Sequence, residues 1–421
     1  TASSPSLPTV GPAPADDPAG EQRPVVSGLT YQGNDGNRVI PGIGGLPFQE
    51  PIDLTLPGKA AWLIATPVSD GIVWSAALED GRVLSFHMLE NGAIAGEPEV
   101  VSILPGQPPV AISDGGNFSL ILVQEADQSP LSHPIYLPLS DNRAYITQNG
   151  EVNIINASGA VKAALDVNAL PDARILKDEI DRLLVLTGPT SKYPHNVLGD
   201  QFEASGITLI ETLPEPRVAG YFTFSENEVI EGIAPIWTDF TGDGKREIII
   251  TVSDLDLGAG VVVLNESGEK IAQGPKIGTP FRWRHQVAVS NFGPQGAIEL
   301  AVVRTPHIAG SVEFYHLEDG VLSIAAEFPG ITSHTIGSRN LDLAAAGDFD
   351  GDGSSELLVL SPDLTKYIAV RRTASGAEQA WQLPLDGMIS SNLAGASLPD
   401  GDIAIAVGKS DHSLRIWLPR D

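Results

Sequence analysis

The sequence predicts an all-β repeat protein, and three observations carry that prediction. Apolar residues come in short runs punctuated by turn residues, with 44 Gly and 33 Pro and no long stretch of helical periodicity. A loop of alternating acids followed by an aliphatic strand occurs more than once. Polar hairpin turns recur at a spacing of roughly 50 residues.

In chain order, residues 1–23 are rich in Ser, Pro, Ala and Asp and hold too little apolar surface to fold alone. They are expected to form an extended tail docked on the domain or on a partner. Thr1 is not an initiator methionine and no apolar signal core follows it, as in a mature or trimmed chain. Residues 24–421 are expected to form one domain. From Pro57 onward, apolar strands end in polar turns: 83–88 with Leu89-Glu90-Asn91-Gly92, 152–155 with Asn156-Ala157-Ser158-Gly159, and 207–211 with Thr212-Leu213-Pro214-Glu215-Pro216. The pattern continues at 261–264 with Asn265-Glu266-Ser267-Gly268, 312–316 with Leu317-Glu318-Asp319-Gly320, and 368–372 with Thr373-Ala374-Ser375-Gly376. Each is a β-hairpin signal. A last strand, 414–418, runs to the C-terminus without a partner after it. The resulting units span about 57–102, 103–165, 170–223, 231–275, 282–329, 336–384 and 387–421. Their size is that of a four-stranded propeller blade, so the expected fold is a seven-bladed β-propeller. The last blade holds only three strands of its own, at 394–397, 403–407 and 414–418. An unpaired edge there is unfavourable, so a segment before the first blade is expected to supply the outer strand. Ile52-Asp53-Leu54-Thr55-Leu56 alternates apolar and polar and is the first choice; residues 25–31 are the fallback.

The acid loops point to a hard cation. Asp348-Phe349-Asp350-Gly351-Asp352-Gly353-Ser354-Ser355-Glu356 sets carboxylates at the first, third, fifth and ninth positions, and the run Leu357-Leu358-Val359-Leu360 follows. Oxygens at that spacing suit Ca²⁺, with a backbone carbonyl near the seventh residue, Ser354, completing the shell. The frame is nine residues leading into a strand, not the twelve-residue loop of an EF-hand. Asp239-Phe240-Thr241-Gly242-Asp243-Gly244-Lys245-Arg246-Glu247 repeats it with Thr at the third position and Lys245 at the seventh. A third copy, 291–299, keeps the frame but has lost most of its acids. Two Ca²⁺ sites are therefore expected: Asp239, Thr241, Asp243, Lys245 and Glu247 in one, and Asp348, Asp350, Asp352, Ser354 and Glu356 in the other. The Thr241 site, one charge poorer, is expected to be the weaker.

These loops, each followed by an aliphatic strand and a hairpin, resemble the FG-GAP/VCBS repeats of integrin-α-like seven-bladed β-propellers. The resemblance covers roughly 233–381 and fades on either side. It implies that the cation loops join first and second strands on a lower face, with ligands meeting the upper face. Ser69-Asp70-Gly71, Ser113-Asp114-Gly115-Gly116 and Lys177-Asp178-Glu179-Ile180-Asp181 depart from the pattern.

Composition excludes some functions. Lys and Arg total 25 against 53 Asp and Glu, a net charge of −28 that repels nucleic acid. No apolar run is long enough to span a membrane. The absence of Cys removes disulfide and thiol chemistry and fits a secreted, periplasmic or cell-surface protein, bacterial in type. None of the common nucleophile, zinc-protease or phosphate-loop motifs occurs. What stands out is a basic and imidazole-rich set: Arg282, Trp283, Arg284 and His285, then Arg304 and His307, then His334 and Arg339. Their loops are expected to open on the upper face between the fifth and sixth blades and to bind an anionic group, Arg being suited to carboxylate or sulfate. Phe281 and Trp283 are candidates to stack a sugar ring. Tyr193-Pro194-His195 and Ser132-His133-Pro134-Ile135-Tyr136 sit in comparable loops. The alternative is that these Arg residues pair with the excess acids and the His residues cap loops. The expected function is an extracytoplasmic, calcium-stabilised binding or scaffolding protein whose partner is a protein or an anionic glycan. The rival is a polysaccharide lyase, whose propeller members the set also resembles, with His285, His307, His334 and Arg339 as its candidate residues.

Overall fold

The structure, a computed structural model, describes residues 26–308 and 310–419, so the expectations for the 1–23 tail lie outside the described residues. The described chain is all-β, with one turn of 3-10 helix at Pro294–Gly296. Consecutive strands pair antiparallel into four-stranded units at 60–102, 135–166, 176–223, 228–273, 284–331 and 345–384. A further unit, 389–417, has three strands of its own and takes its fourth from Ile52–Thr55. There Ile52 lies opposite Ile416, Asp53 opposite Arg415 and Leu54 opposite Leu414. The alternation explains the pairing. Ile52 and Leu54 pack on the cluster holding Leu414 and Ile416, while Asp53 accepts from Arg415 Nε and Nη2 at 2.8 and 2.6 Å. The fallback segment goes elsewhere: Val26–Gly28 pairs with Val110–Asp114.

Residues 103–165, expected as one unit, divide into two sheets. Gly115 and Gly116 both take left-handed φ, 55° and 86°, which closes a two-residue hairpin and returns the chain at once as Asn117–Ile121. That hairpin and Val26–Gly28 make a small three-stranded sheet, and the four-stranded unit begins only at Ile135–Leu137.

Burial grades outward within a unit. Glu247–Asp254 and Gly258–Asn265 are buried almost throughout, and their sequences are continuous aliphatic runs. The fourth strands, such as Val161–Asp166, keep only alternate residues partly covered. Truncating an inner aliphatic such as Ile249 therefore costs about 2–5 kcal/mol.

Residues 30–46 are the feature that sequence patterning misses. This segment runs along the first strands of successive units and exchanges hydrogen bonds with six of them. His133 Nδ1 meets Thr30 Oγ1 at 3.1 Å, Tyr31 donates to Ile175 O, and Lys177 and Trp237 donate their N–H groups to Asn34 and Asp35. Asn37 brackets Val289 with two bonds, Ala346 donates to Arg38 O, and Gln32 donates to Leu393 O. Val39–Ile43 then lies parallel beside Ala345–Asp348. Asn392 links the last unit to the first through Leu63 N and O at 2.8 Å each. First-to-second-strand turns lie at one end of the units, the lower end. Second-to-third turns and the links between units lie at the upper end. Among the described residues, no helix is long and apolar enough to cross a membrane.

Candidate functional site

The two acid loops have one backbone scaffold. Asp348 accepts the N–H groups of Gly351 and Gly353 at 2.9 and 3.0 Å, as Asp239 accepts those of Gly242 and Gly244 at 2.7 and 2.9 Å. These glycines have φ between 77° and 87°, where a side chain would be strained. Ser354 and Lys245 donate N–H to Asp352 and Asp243. Glu356 and Glu247 accept from the N–H of the buried Phe349 and Phe240 at 3.1 and 2.8 Å.

The loops differ in their filling. Asp348, Asp350 and Glu356 each place an oxygen within 4.8 Å of the others, a donor set that fits a hard cation. Arg371, opposite Glu356 on the third strand, reaches into that set. It contacts Asp350, lies 3.1 Å from Asp352 and 2.8 Å from Glu356. Burial pushes the Glu356 carboxyl up to about 7, against the pull of Arg371. The residue matching Arg371 in the other loop is Asn265, opposite Glu247. Arg246 turns away to Asp35 and Glu179, and among the described residues no Lys or Arg forms an ion pair with Asp239, Asp243 or Glu247. In the third copy Glu299 is paired with Arg372 at 2.7 Å.

At the upper end the histidines do meet. The His307 ring centre lies 6.1 Å from His334 and 6.0 Å from His195. Trp283 stacks on His285 at 5.1 Å and meets His334 edge-on at 5.3 Å. His195 Nδ1 lies 2.6 Å from Glu231 Oε1, and Glu231 also accepts the Ser253 hydroxyl. His334 Nε2 lies 2.8 Å from Ser338 O, and His285 Nδ1 2.9 Å from Ser333 Oγ. Burial lowers the pKa of His334 to about 4, and with Arg38 it holds His285 well below the usual imidazole range. Burial, then Glu231, raises the Glu203 carboxyl well above its ordinary value. Sequence patterning misses Glu231; its only signal is a lone acid inside the buried run Ile230-Glu231-Gly232-Ile233.

The arginines do not stand free, which corrects the expectation of a positive patch. Arg284 is buried against Glu313 at 2.8 Å and donates to Ala259 O and Pro275 O. Arg304 lies between Glu313 and Glu327 at 3.4 and 3.1 Å. Arg339 pairs with Asp172 at 2.9 Å and with Asp200. Of these four arginines, Arg282 alone is exposed without such a partner among the described residues. Trp283 is buried and cannot stack a ligand ring, whereas Phe281 is 43% exposed beside Tyr193 and His195. His133 lies apart from this group, edge-on to Trp62 at 4.6 Å.

No known family model matches the chain, and no curated protein matches it. Among solved structures, similarity extends to BamB from Moraxella catarrhalis, at 12% identity and TM-score 0.49 over 88% of this chain and 97% of that one. The C-terminal WD40 domain of Sif2 gives 10% identity and TM-score 0.48 over 91% and 99%. A chain of the mitotic checkpoint complex gives 14% and 0.47 over 89% and 96%. With TM-scores below 0.5, the fold rests on the strand pairings themselves.

Proposed function

We propose that the chain is a β-propeller, seven four-stranded blades and one smaller blade set around residues 30–46, that serves as an extracytoplasmic binding or scaffolding protein. Its partner is a protein that docks on the upper end. The carrying observation is the character of that surface. Phe281, Ile308 (64% exposed), Ile336 (62%) and Leu257 (56%) lie in or beside upper-end loops, while the neighbouring arginines are neutralised by carboxylates. Exposed large apolar residues in the loops at one end of a molecule are candidates for an interaction site. Ca²⁺ in the 348–356 and 239–247 loops would stiffen the lower end. Extracellular modules bind this ion at about 10⁻⁴–10⁻³ M.

A photo-crosslinker placed at Phe281 tests the reading against the same group at Lys270, in extract of the source organism. A discrete protein adduct from position 281 and none from 270 is expected; equal labelling from both would reject the upper end as the docking surface. A second reading, a glycan-active enzyme, is favoured by the His195–Glu231 pair, in which a carboxylate orients an imidazole as a general base requires. Ultraviolet absorbance from unsaturated product, appearing with uronate glycans and lost in His195→Ala, would establish that reading instead.

A further inference from the structure

We infer that His195, His307 and His334 form a binding site for a borderline divalent transition cation of the Zn²⁺, Ni²⁺ or Cu²⁺ type, with His307 as the ligand shared between the other two. The three imidazoles come from three separate upper-end loops and stand in a row, with successive ring centres 6.0 and 6.1 Å apart. Two imidazoles on one ion, at metal–nitrogen distances of about 2.0–2.1 Å, have ring centres roughly 5–6 Å apart.

Hydrogen bonding also sets the tautomers. An ionised carboxylate only accepts, so the Glu231 contact takes a proton on Nδ1 of His195 and leaves Nε2 as the nitrogen that faces away from it. Ser338 O likewise fixes the proton of His334 on Nε2, leaving Nδ1 as a base; that atom is buried and has no partner. His307 Nδ1 is buried and partnerless as well. A carboxylate or a carbonyl holding the far nitrogen of an imidazole is the arrangement that orients metal-binding histidines.

Imidazole nitrogen favours transition ions, in contrast to the all-oxygen loops at the lower end. The three imidazole nitrogens stand further apart than the ligand atoms of a closed site. Among the described residues only Asp348, Asp350 and Glu356 bring three ligand atoms within 4.8 Å of one another. Ligation therefore requires the nitrogens to draw together on binding, with His307, whose ring neighbours both of the others, bridging them.

The test is calorimetric titration of the EDTA-dialysed chain with Zn²⁺ in buffer holding excess Ca²⁺. Co²⁺ spectra and Cu²⁺ quenching of Trp283 fluorescence serve as structural readouts. One Zn²⁺ per chain is expected, with at least tenfold weaker binding in His307→Ala and in His195→Ala. Glu231→Gln should weaken it by roughly 10–100-fold while leaving the Co²⁺ band nitrogen-ligated. His334 is fully buried, so its variant is not relied on; His307 is half-buried and its variant is expected to fold. Binding unchanged in His307→Ala, binding abolished by His87→Ala (half-buried) or His412→Ala (exposed) elsewhere in the chain, or no Zn²⁺ uptake at all would each overturn the assignment.

Discussion

The two ends of the molecule handle polar side chains in opposite ways. At the lower end every carboxylate of the 348–356 loop is compensated where it stands. Backbone N–H groups hold Asp348 and Glu356, and Arg371 spans Asp350, Asp352 and Glu356. At the upper end burial lowers the pKa of His285, His307 and His334, and each keeps one ring nitrogen unused. Nε2 of His285, Nδ1 of His307 and Nδ1 of His334 are buried with no hydrogen bond. A satisfied network rigidifies, whereas unused hydrogen-bonding capacity is available to a ligand. Stability should therefore reside at the lower end and binding at the upper.

The largest expected effect breaks the lower end. Glu356→Ala leaves Arg371 facing Asp350 and Asp352 alone and removes the acceptor for Phe349 N–H. Removing one partner of a buried pair costs about 3–5 kcal/mol; Arg371 is a quarter exposed, so the lower part of that range applies. Glu247→Ala, which forfeits two backbone hydrogen bonds and one from the Thr241 hydroxyl but no ion pair, should cost about 1–3 kcal/mol. His307→Ala should stay within about 0.5 kcal/mol. Urea unfolding in EDTA measures all three. A His307→Ala loss as large as that of Glu356→Ala would erase the contrast between the ends.

The next effect sharpens the contrast between the two acid loops. The guanidinium of Arg371 stands where a cation would be held, so Ca²⁺ must displace it. The expectation from Thr241 alone, that the 239–247 loop is the weaker, leaves this competitor out. Arg371→Ala should tighten Ca²⁺ binding about tenfold, or ~1.4 kcal/mol, while lowering stability in EDTA. Asn265→Arg should introduce the same competitor opposite Glu247 and weaken the other site. Calorimetry on the two variants decides it: unchanged affinity in both would mean that Arg371 swings clear of the ion.

The parts of this molecule legible in sequence are those set by local spacing. Alternation in Ile52-Asp53-Leu54-Thr55 marks a half-buried outer strand, and Asn156 and Asn265 bond the backbone two residues on, as hairpin turns of that composition do. The acid-loop frame is equally local. Long-range pairing is not legible. Arg339 and Asp172 lie 167 residues apart, so a count of charges can suggest a positive patch but not its neutralisation. The segment Gln32-Gly33-Asn34-Asp35-Gly36-Asn37 has the composition of a surface turn, yet its partners are inner strands far along the chain. Gly115 and Gly116 have the composition of a degraded cation loop, whereas their left-handed backbone closes a separate hairpin.

The smallest expected effect concerns pH, and it tests whether buried imidazoles really are held neutral. His133 is the cleanest probe because it lies apart from all three proposed metal sites. It faces Thr30 Oγ1 at 3.1 Å and the Trp62 edge, and burial, then the Arg174 guanidinium, holds its pKa well below the ordinary value. The unfolded chain protonates this imidazole near ~6.5 and the folded chain does not, so below that pH the unfolded state binds more protons. Stability must then fall as pH falls below ~6.5, by at most ~1.4 kcal/mol per pH unit for this one group. His285, also depressed by burial, has the same sign and adds to the slope. His133→Gln keeps a polar partner for Thr30 while removing the titration, and should flatten the acid limb without changing the slope above about pH 7. An identical acid limb in the variant, measured by urea unfolding at stepped pH in EDTA, would show that His133 takes up its proton without unfolding the chain.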